Sequence, residues 1–245
     1  MEPLGSSRGP YAILDVDSLE ARGLDLVESA AAMLAGGASL LQLRAKGRSA
    51  RPVLAWLEAL VPLARGAHVP LIVNDRADLA AVSGATGVHV GQEDLPVAEV
   101  RRLFPELLVG ISTHSLPQLE AALADRPDYV ALGPIFATQS KANPDPVVGL
   151  DQLARAVALA QGAGVPLVAI GGIDSRSAHD IRAAGAVPAV IGALLPPLGE
   201  VFAGRPFTDT SGAAVPRSAT ATVTDVIRSR TRALCAVEDD LSGPA

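Results

Sequence analysis

Short apolar runs recur along this chain, each followed by a stretch whose apolar residues fall three or four apart. The runs lie at 11–14, 39–43, 69–73, 87–90, 108–111, 129–132, 167–170 and 189–191. At this length they predict buried strands rather than helices. Between them, helical spacing predicts helices at 24–34, 50–64, 97–104, 116–124, 150–160 and 177–184, with one more in the alanine- and leucine-rich stretch after the third strand. Gly36-Gly37 ends the first helix, and Pro52 and Pro117 sit in the first turns of two others, where their missing N–H is harmless. Strands alternating with helices imply βα units and a parallel sheet. Eight such units predict a (β/α)8 TIM barrel, an α/β fold, as a single domain. An open doubly wound sheet would carry a G-x-G-x-x-G turn after its first strand, and the chain has none there.

The division expected is a polar leader at 1–10, the barrel at 11–238 and a frayed tail at 239–245. A proline-rich insertion at about 196–220 precedes the last helix, since 195–217 carries four prolines and little periodicity. The helix at 224–238, with Val226, Ile227, Leu234 and Val237 on its apolar face, is the segment expected to close the barrel.

Composition narrows the setting. At 245 residues and 49% hydrophobic, the chain can bury a core without staples. A single cysteine, Cys235, excludes an internal disulfide framework and points to a reducing cytoplasm. A net charge of −6 without a basic block argues against nucleic acid as the main partner. No apolar stretch is long enough to span a bilayer and the N-terminus lacks a signal-peptide core, so no membrane role is expected.

In a barrel, chemistry gathers at the carboxyl ends of the strands. The third and fourth strands stop at Asp75 and in Gln92-Glu93-Asp94. Alone, Asp75 reads as a helix N-cap and Asp94 as the start of a turn before Pro96. At equivalent places in successive units, they read as a carboxylate pair suited to Mg²⁺. Gln42, Arg44 and Lys46 alternate along the second strand and share a face, offering an amide, a guanidinium fork and an ammonium to a phosphate. Ser112 and Thr113 close the fifth strand, placed either to bind phosphate or to cap the next helix. The loop after the sixth strand offers Thr138, Ser140 and Lys141 as anion donors. Gly171-Gly172 after the seventh would let backbone approach a ligand. His89, inside a strand, reads as a satisfied core histidine. Two anion sites, one near strands two to four and one near strands six to eight, suggest two phosphorylated substrates joined in one barrel.

Six segments in order carry a resemblance: Q-x-R-x-K at 42–46, NDRADLA at 74–80, GVHVGQEDLP at 87–96, GIS at 110–112, DYVALGPIFATQSK at 128–141 and AIGGI at 169–173. Together they resemble the thiamine-phosphate synthase family over about residues 11–195. The resemblance implies a transferase that joins hydroxymethylpyrimidine diphosphate to thiazole phosphate, releasing pyrophosphate and thiamine phosphate. It implies that Gln42, Arg44, Lys46, Asn74, Ser112 and Lys141 hold the pyrimidine diphosphate, with Arg44, Lys46, Ser112 and Lys141 catalytic. Asp75 and Asp94 would bind Mg²⁺ as the cofactor. Thr138, Ser140, Gly172, Ile191 and Gly192 would bind the thiazole phosphate. Ser140 stands where the family has threonine. The partners implied are small molecules, with oligomeric state left open. Two alternatives remain: a thiazole tautomerase using His114, and a non-catalytic regulator that binds thiazole phosphate. The tautomerase lacks the acid that Asp94 supplies, and the regulator would have lost charges from the diphosphate grip.

Overall fold

The computed structural model describes residues 9–138, 145–199 and 222–235. Its eight strands are β1 (Tyr11–Asp15), β2 (Leu40–Arg44), β3 (Leu71–Asn74), β4 (Gly87–Val90), β5 (Leu108–Thr113), β6 (Tyr129–Leu132), β7 (Leu167–Ile170) and β8 (Val187–Val190). They pair in parallel in chain order, and β8 pairs back to β1 to close the barrel. Each strand is buried on both faces, which is why it reads as a continuous apolar run instead of an alternating one. Alternate residues divide between two cores. Tyr11, Ile13, Leu40, Ile72, Tyr129, Ala131, Val168 and Ala189 fill the barrel interior. Ala12, Leu14, Leu41, Leu43, Leu71 and Val73 pack outward against the helices.

The helical layer comprises α1 (Val16–Glu20), α2 (Leu26–Ala35), α3 (Ala50–Gly66), α4 (Ala77–Ser83), α5 (Val97–Leu103), α6 (Leu116–Ala124), α7 (Leu150–Gly162), α8 (Ser177–Ala183) and α9 (Val223–Cys235). Helix α3 shows why these segments coil. Val53, Leu57, Leu60 and Ala64 make one buried stripe, the spacing of an amphipathic helix. None of the described helices is long and apolar enough to cross a membrane.

Three readings of the sequence need correction. The first helix begins at Leu26, where the Asp25 carboxylate accepts the Glu28 N–H at 2.9 Å. A one-turn helix, α1, precedes it and is too short to carry a period. Strand β8 starts at Val187, two residues before the predicted start, and includes Pro188. Pro188 sits opposite Ala169. Helix α9 runs over Val223–Cys235 and buries Ile227, Thr231 and Leu234, while Val226 is half-buried. Thr231 holds the centre of that face because its hydroxyl donates to the Ile227 carbonyl at 2.8 Å. There α9 meets α2 closely: a side chain at Gly36 would lie 2.5 Å from Thr231 Cβ. Val237, the rest of the predicted last helix, most of the leader, the tail and most of the proline-rich insertion lie outside the described residues.

Candidate active site

The inward positions change character toward the carboxyl end of the barrel. Tyr11, Leu40 and Ile72 fill its lower part, and Gln42, Arg44, Asn74, His89 and Ser112 occupy inward positions above. They line a cleft of about 570 Å³, joined there by Lys46, Asp75 and Asp94 from the loops. Thr138, Gly172, Ile191 and Gly192 line the same cleft from the side of β6 to β8. Ser140 and Lys141 lie outside the described residues. Every other site residue expected from the sequence therefore faces one cavity.

Arg44 is held by a residue outside the set expected from the sequence. Asp15 ends β1 directly opposite Arg44 in the barrel register. It is 4% exposed, and its Oδ1 accepts from Arg44 Nη1 at 2.5 Å. The other oxygen, Oδ2, accepts the Ser18 hydroxyl at 2.5 Å and the Ser18 N–H at 3.2 Å, capping α1. One carboxylate thus stops a strand, starts a helix and anchors the guanidinium. The rule that selected Asp75 and Asp94, an acid closing a strand, applies equally to Asp15.

Asp75 does not cap α4. The N-cap there is Arg76, without a side-chain bond to the helix. Asp75 takes a left-handed backbone, φ +64°, which aspartate tolerates better than most residues, and its N–H donates to the His89 carbonyl at 2.8 Å. That conformation turns its carboxylate toward Asp94, while Lys46 Nζ stands 3.6 Å away. Burial first, and then the Asp94 charge, hold the Asp75 carboxyl above its usual range, with Lys46 pulling the other way. Asp94 Oδ2 meanwhile accepts the Gly91 N–H at 2.7 Å, so it also closes its own turn. Among the described residues no cluster of three or more His, Cys, Asp or Glu forms a metal cage. Two crowded carboxylates at an open mouth instead suit a cation that keeps most of its waters.

Ser112 does not cap α6, because Ser115 does. The Ser112 hydroxyl meets His89 Nε2 at 2.8 Å, and its carbonyl accepts the Gln92 amide at 2.6 Å. His89 is 8% exposed and both ring nitrogens are engaged, as expected of a satisfied core histidine, but it also lines the cleft. His114 points its Nδ1 at the Gly133 carbonyl at 2.7 Å, with Asp145 at 3.3 Å.

The glycines after β7 line the cleft and also allow close packing. A Cβ on Gly171 would lie 2.5 Å from Pro134 Cβ, and one on Gly172 would lie 2.5 Å from the Ala137 carbonyl. Both have positive φ, +100° and +66°. The close approach they permit is to the loop after β6, a contact that the local sequence does not announce.

Fold and mouth together define a (β/α)8-barrel enzyme whose cleft sets a guanidinium and an ammonium against a pair of carboxylates. A family model described as thiamine monophosphate synthase matches residues 11–194. A thiamine-phosphate synthase of Koribacter versatilis is 47% identical over 179 residues, 72% of this chain and 83% of its own length. One from Chloroflexus aurantiacus is 43% identical over 176 residues, 72% and 79% of the two lengths. The solved thiamine phosphate pyrophosphorylase of Pyrococcus furiosus aligns with a TM-score of 0.71 at 27% identity, over 93% of this chain and 94% of that one. The chain belongs to the thiamine monophosphate synthase family and, with it, to the transferases of thiamine biosynthesis.

Proposed function

We propose that this chain joins hydroxymethylpyrimidine diphosphate to thiazole phosphate at the barrel mouth, forming thiamine phosphate and releasing pyrophosphate. The observation that carries the reading is the charge gathered at one cleft: Arg44 and Lys46 line it together with Asp75 and Asp94, and Lys46 Nζ stands 3.6 Å from the Asp75 carboxylate. Family membership favours it over a tautomerase or a non-catalytic regulator.

In this reading the bond from the pyrimidine methylene to the diphosphate oxygen breaks first. The ring amino group stabilises the resulting cation, and the thiazole nitrogen donates its electron pair to form the new C–N bond. No protein nucleophile is required. Arg44, fixed by Asp15, and Lys46, beside Asp75, stabilise the negative charge that grows on the leaving group. Lys141 is the third cation assigned to it. Gln42, Asn74 and Ser112 orient the pyrimidine diphosphate, and Thr138, Ser140, Gly172, Ile191 and Gly192 take the thiazole phosphate. Asp75 and Asp94 would hold Mg²⁺, which when bound supplies positive charge to the diphosphate oxygens. Burial, and then the facing Asp94 charge, raise Asp75, and a cation between the two carboxylates would offset that repulsion. Ile170, Ile173 and Val190 give the cleft apolar wall, and a water-poor pocket protects the cation from quenching. A reducing cytoplasm is the compartment we assign, on the single cysteine.

The test is product analysis with each substrate alone and with both. Thiamine phosphate formed only from the pair is the expected result. Conversion of the thiazole alone, abolished by His114→Asn, would replace this reading with the tautomerase.

A further inference from the structure

Five side chains from five strands make a hydrogen-bonded chain through the barrel interior. Gln42 Nε2 donates to Tyr11 Oη at 2.5 Å. Tyr11 Oη lies 2.9 Å from Tyr129 Oη, Tyr129 Oη lies 3.0 Å from His89 Nδ1, and His89 Nε2 lies 2.8 Å from Ser112 Oγ. Tyr11 and Tyr129 are 1% and 0% exposed. The barrel makes room for them: Gly110 sits opposite Tyr129, and a side chain there would fall 2.0 Å from the Tyr129 ring.

The direction of this chain follows from counting hydrogens. A phenol donates one hydrogen and accepts the others. Because the Gln42 amide donates to Tyr11, the Tyr11 hydrogen must go to Tyr129, or it is buried without an acceptor. The Tyr129 hydrogen must then go to His89 Nδ1. A doubly protonated His89 would leave that hydrogen stranded, at the penalty of a buried unsatisfied donor. So His89 Nδ1 accepts, Nε2 carries the ring hydrogen, and Nε2 donates to Ser112. Ser112 Oγ accepts there, and among the described residues nothing takes its own hydrogen. Burial pushes both phenols up in pKa, so both remain protonated donors at neutral pH.

We propose that Tyr11, Tyr129 and His89 are positioning residues: a one-way hydrogen-bond relay, started by Gln42, that locks His89 as its Nε2–H tautomer and presents Ser112 to the substrate as a hydroxyl donor. The acceptor it addresses is a ring nitrogen or phosphate oxygen of the pyrimidine diphosphate, and this last step rests on the function proposed above.

The test begins with ¹⁵N spectra of the histidines in the full chain, His89 being assigned by its loss in His89→Gln. Expected is a pyridine-type Nδ1 beside a pyrrole-type Nε2 at neutral pH, and its loss to an averaged pattern in Tyr129→Phe. A pyrrole-type Nδ1, a doubly protonated ring at neutral pH, or a tautomer unchanged in Tyr129→Phe would each overturn the relay. These outcomes do not depend on turnover, so they leave the synthase reading standing. Kinetics then test the consequence. Tyr129→Phe and His89→Leu are expected to lose about tenfold in kcat/KM, the scale of one hydrogen bond. His89→Gln, whose amide can still donate to Ser112, should recover most of it. Equal losses in His89→Gln and His89→Leu would refute the donor role even with the tautomer in place.

Discussion

Asp15 is the residue whose replacement should disturb structure and chemistry together. Its carboxylate is 6% exposed and the Arg44 side chain 17%, so the pair is largely hidden from water. Truncating one member of such a pair leaves the other charge uncompensated, at about 3–5 kcal/mol. Asp15→Ala also removes the cap of α1, formed at 3.2 Å from the Ser18 N–H, a separate loss of about 1 kcal/mol. Asp15→Asn keeps an acceptor oxygen but loses the charge, and should cost less, about 1.5–3 kcal/mol, the worth of one charged hydrogen bond. Urea unfolding of wild type and variants measures both. The double variant Asp15→Ala/Arg44→Met should be less destabilised than the sum of its parts, because neither charge is stranded. In steady-state pyrophosphate release, Asp15→Ala should lose much of the 2.7–4 kcal/mol (about 10²–10³-fold) ascribed to one preorganised donor, since Arg44 loses its orientation. Ser18→Ala separates the two effects: about 1 kcal/mol of stability for the lost hydroxyl bond, with kcat/KM near wild type. Additive losses in the double variant, or full activity in Asp15→Ala, would refute the assignment of Asp15 as the anchor of Arg44.

Other expectations follow from the same geometry. Asp75 titrates above its ordinary 3.8, so the native state binds more protons than the unfolded one between that value and the raised one. Metal-free stability should therefore fall as pH rises through that interval, with the loss complete above it. Asp94→Asn, by removing the facing charge, should flatten the fall seen in urea titrations; an unchanged slope would show that the two carboxylates do not interact. Mg²⁺ should raise the Tm of wild type and leave that of Asp94→Asn nearly unmoved, since only binding to the native state stabilises it. Gly171→Ala should lower stability by about 1–3 kcal/mol from left-handed strain, with overlap on Pro134 adding to it, and thermal unfolding reports it. Leu57→Ala, fully buried between barrel and helices, should lose about 2–5 kcal/mol by denaturant titration while kcat/KM stays at the wild-type value.

The barrel was legible because a parallel sheet covered on both faces makes each strand a short apolar block, as LIVN at β3 and YVAL at β6 show. Asp75 and Asp94 stood out through their positions at strand ends. Asp15 meets the same criterion, but α1, at five residues, is too short to show a helical period, so nothing in the sequence marks the end of YAILD as a strand-to-helix junction. Tyr11 and Tyr129 lie 118 positions apart in the chain, and only the closed register brings their hydroxyls together. Gly171 and Gly172 suggest a ligand and do line the cleft; the loop after β6, which fills the space a side chain would need, is not visible in the local sequence. Gln42 was placed on the right face, but its partner on β1 was invisible without pairing. Local pattern carries strands, helices and strand-end acids; contacts across the barrel require the register.

The most direct measurement is pyrophosphate release with both substrates and Mg²⁺, comparing wild type with Asp94→Ala. Release that requires both substrates and collapses in the variant is the expected result. No release from well-folded wild type would contradict the synthase, and undiminished release from Asp94→Ala would contradict the carboxylate pair as its metal site.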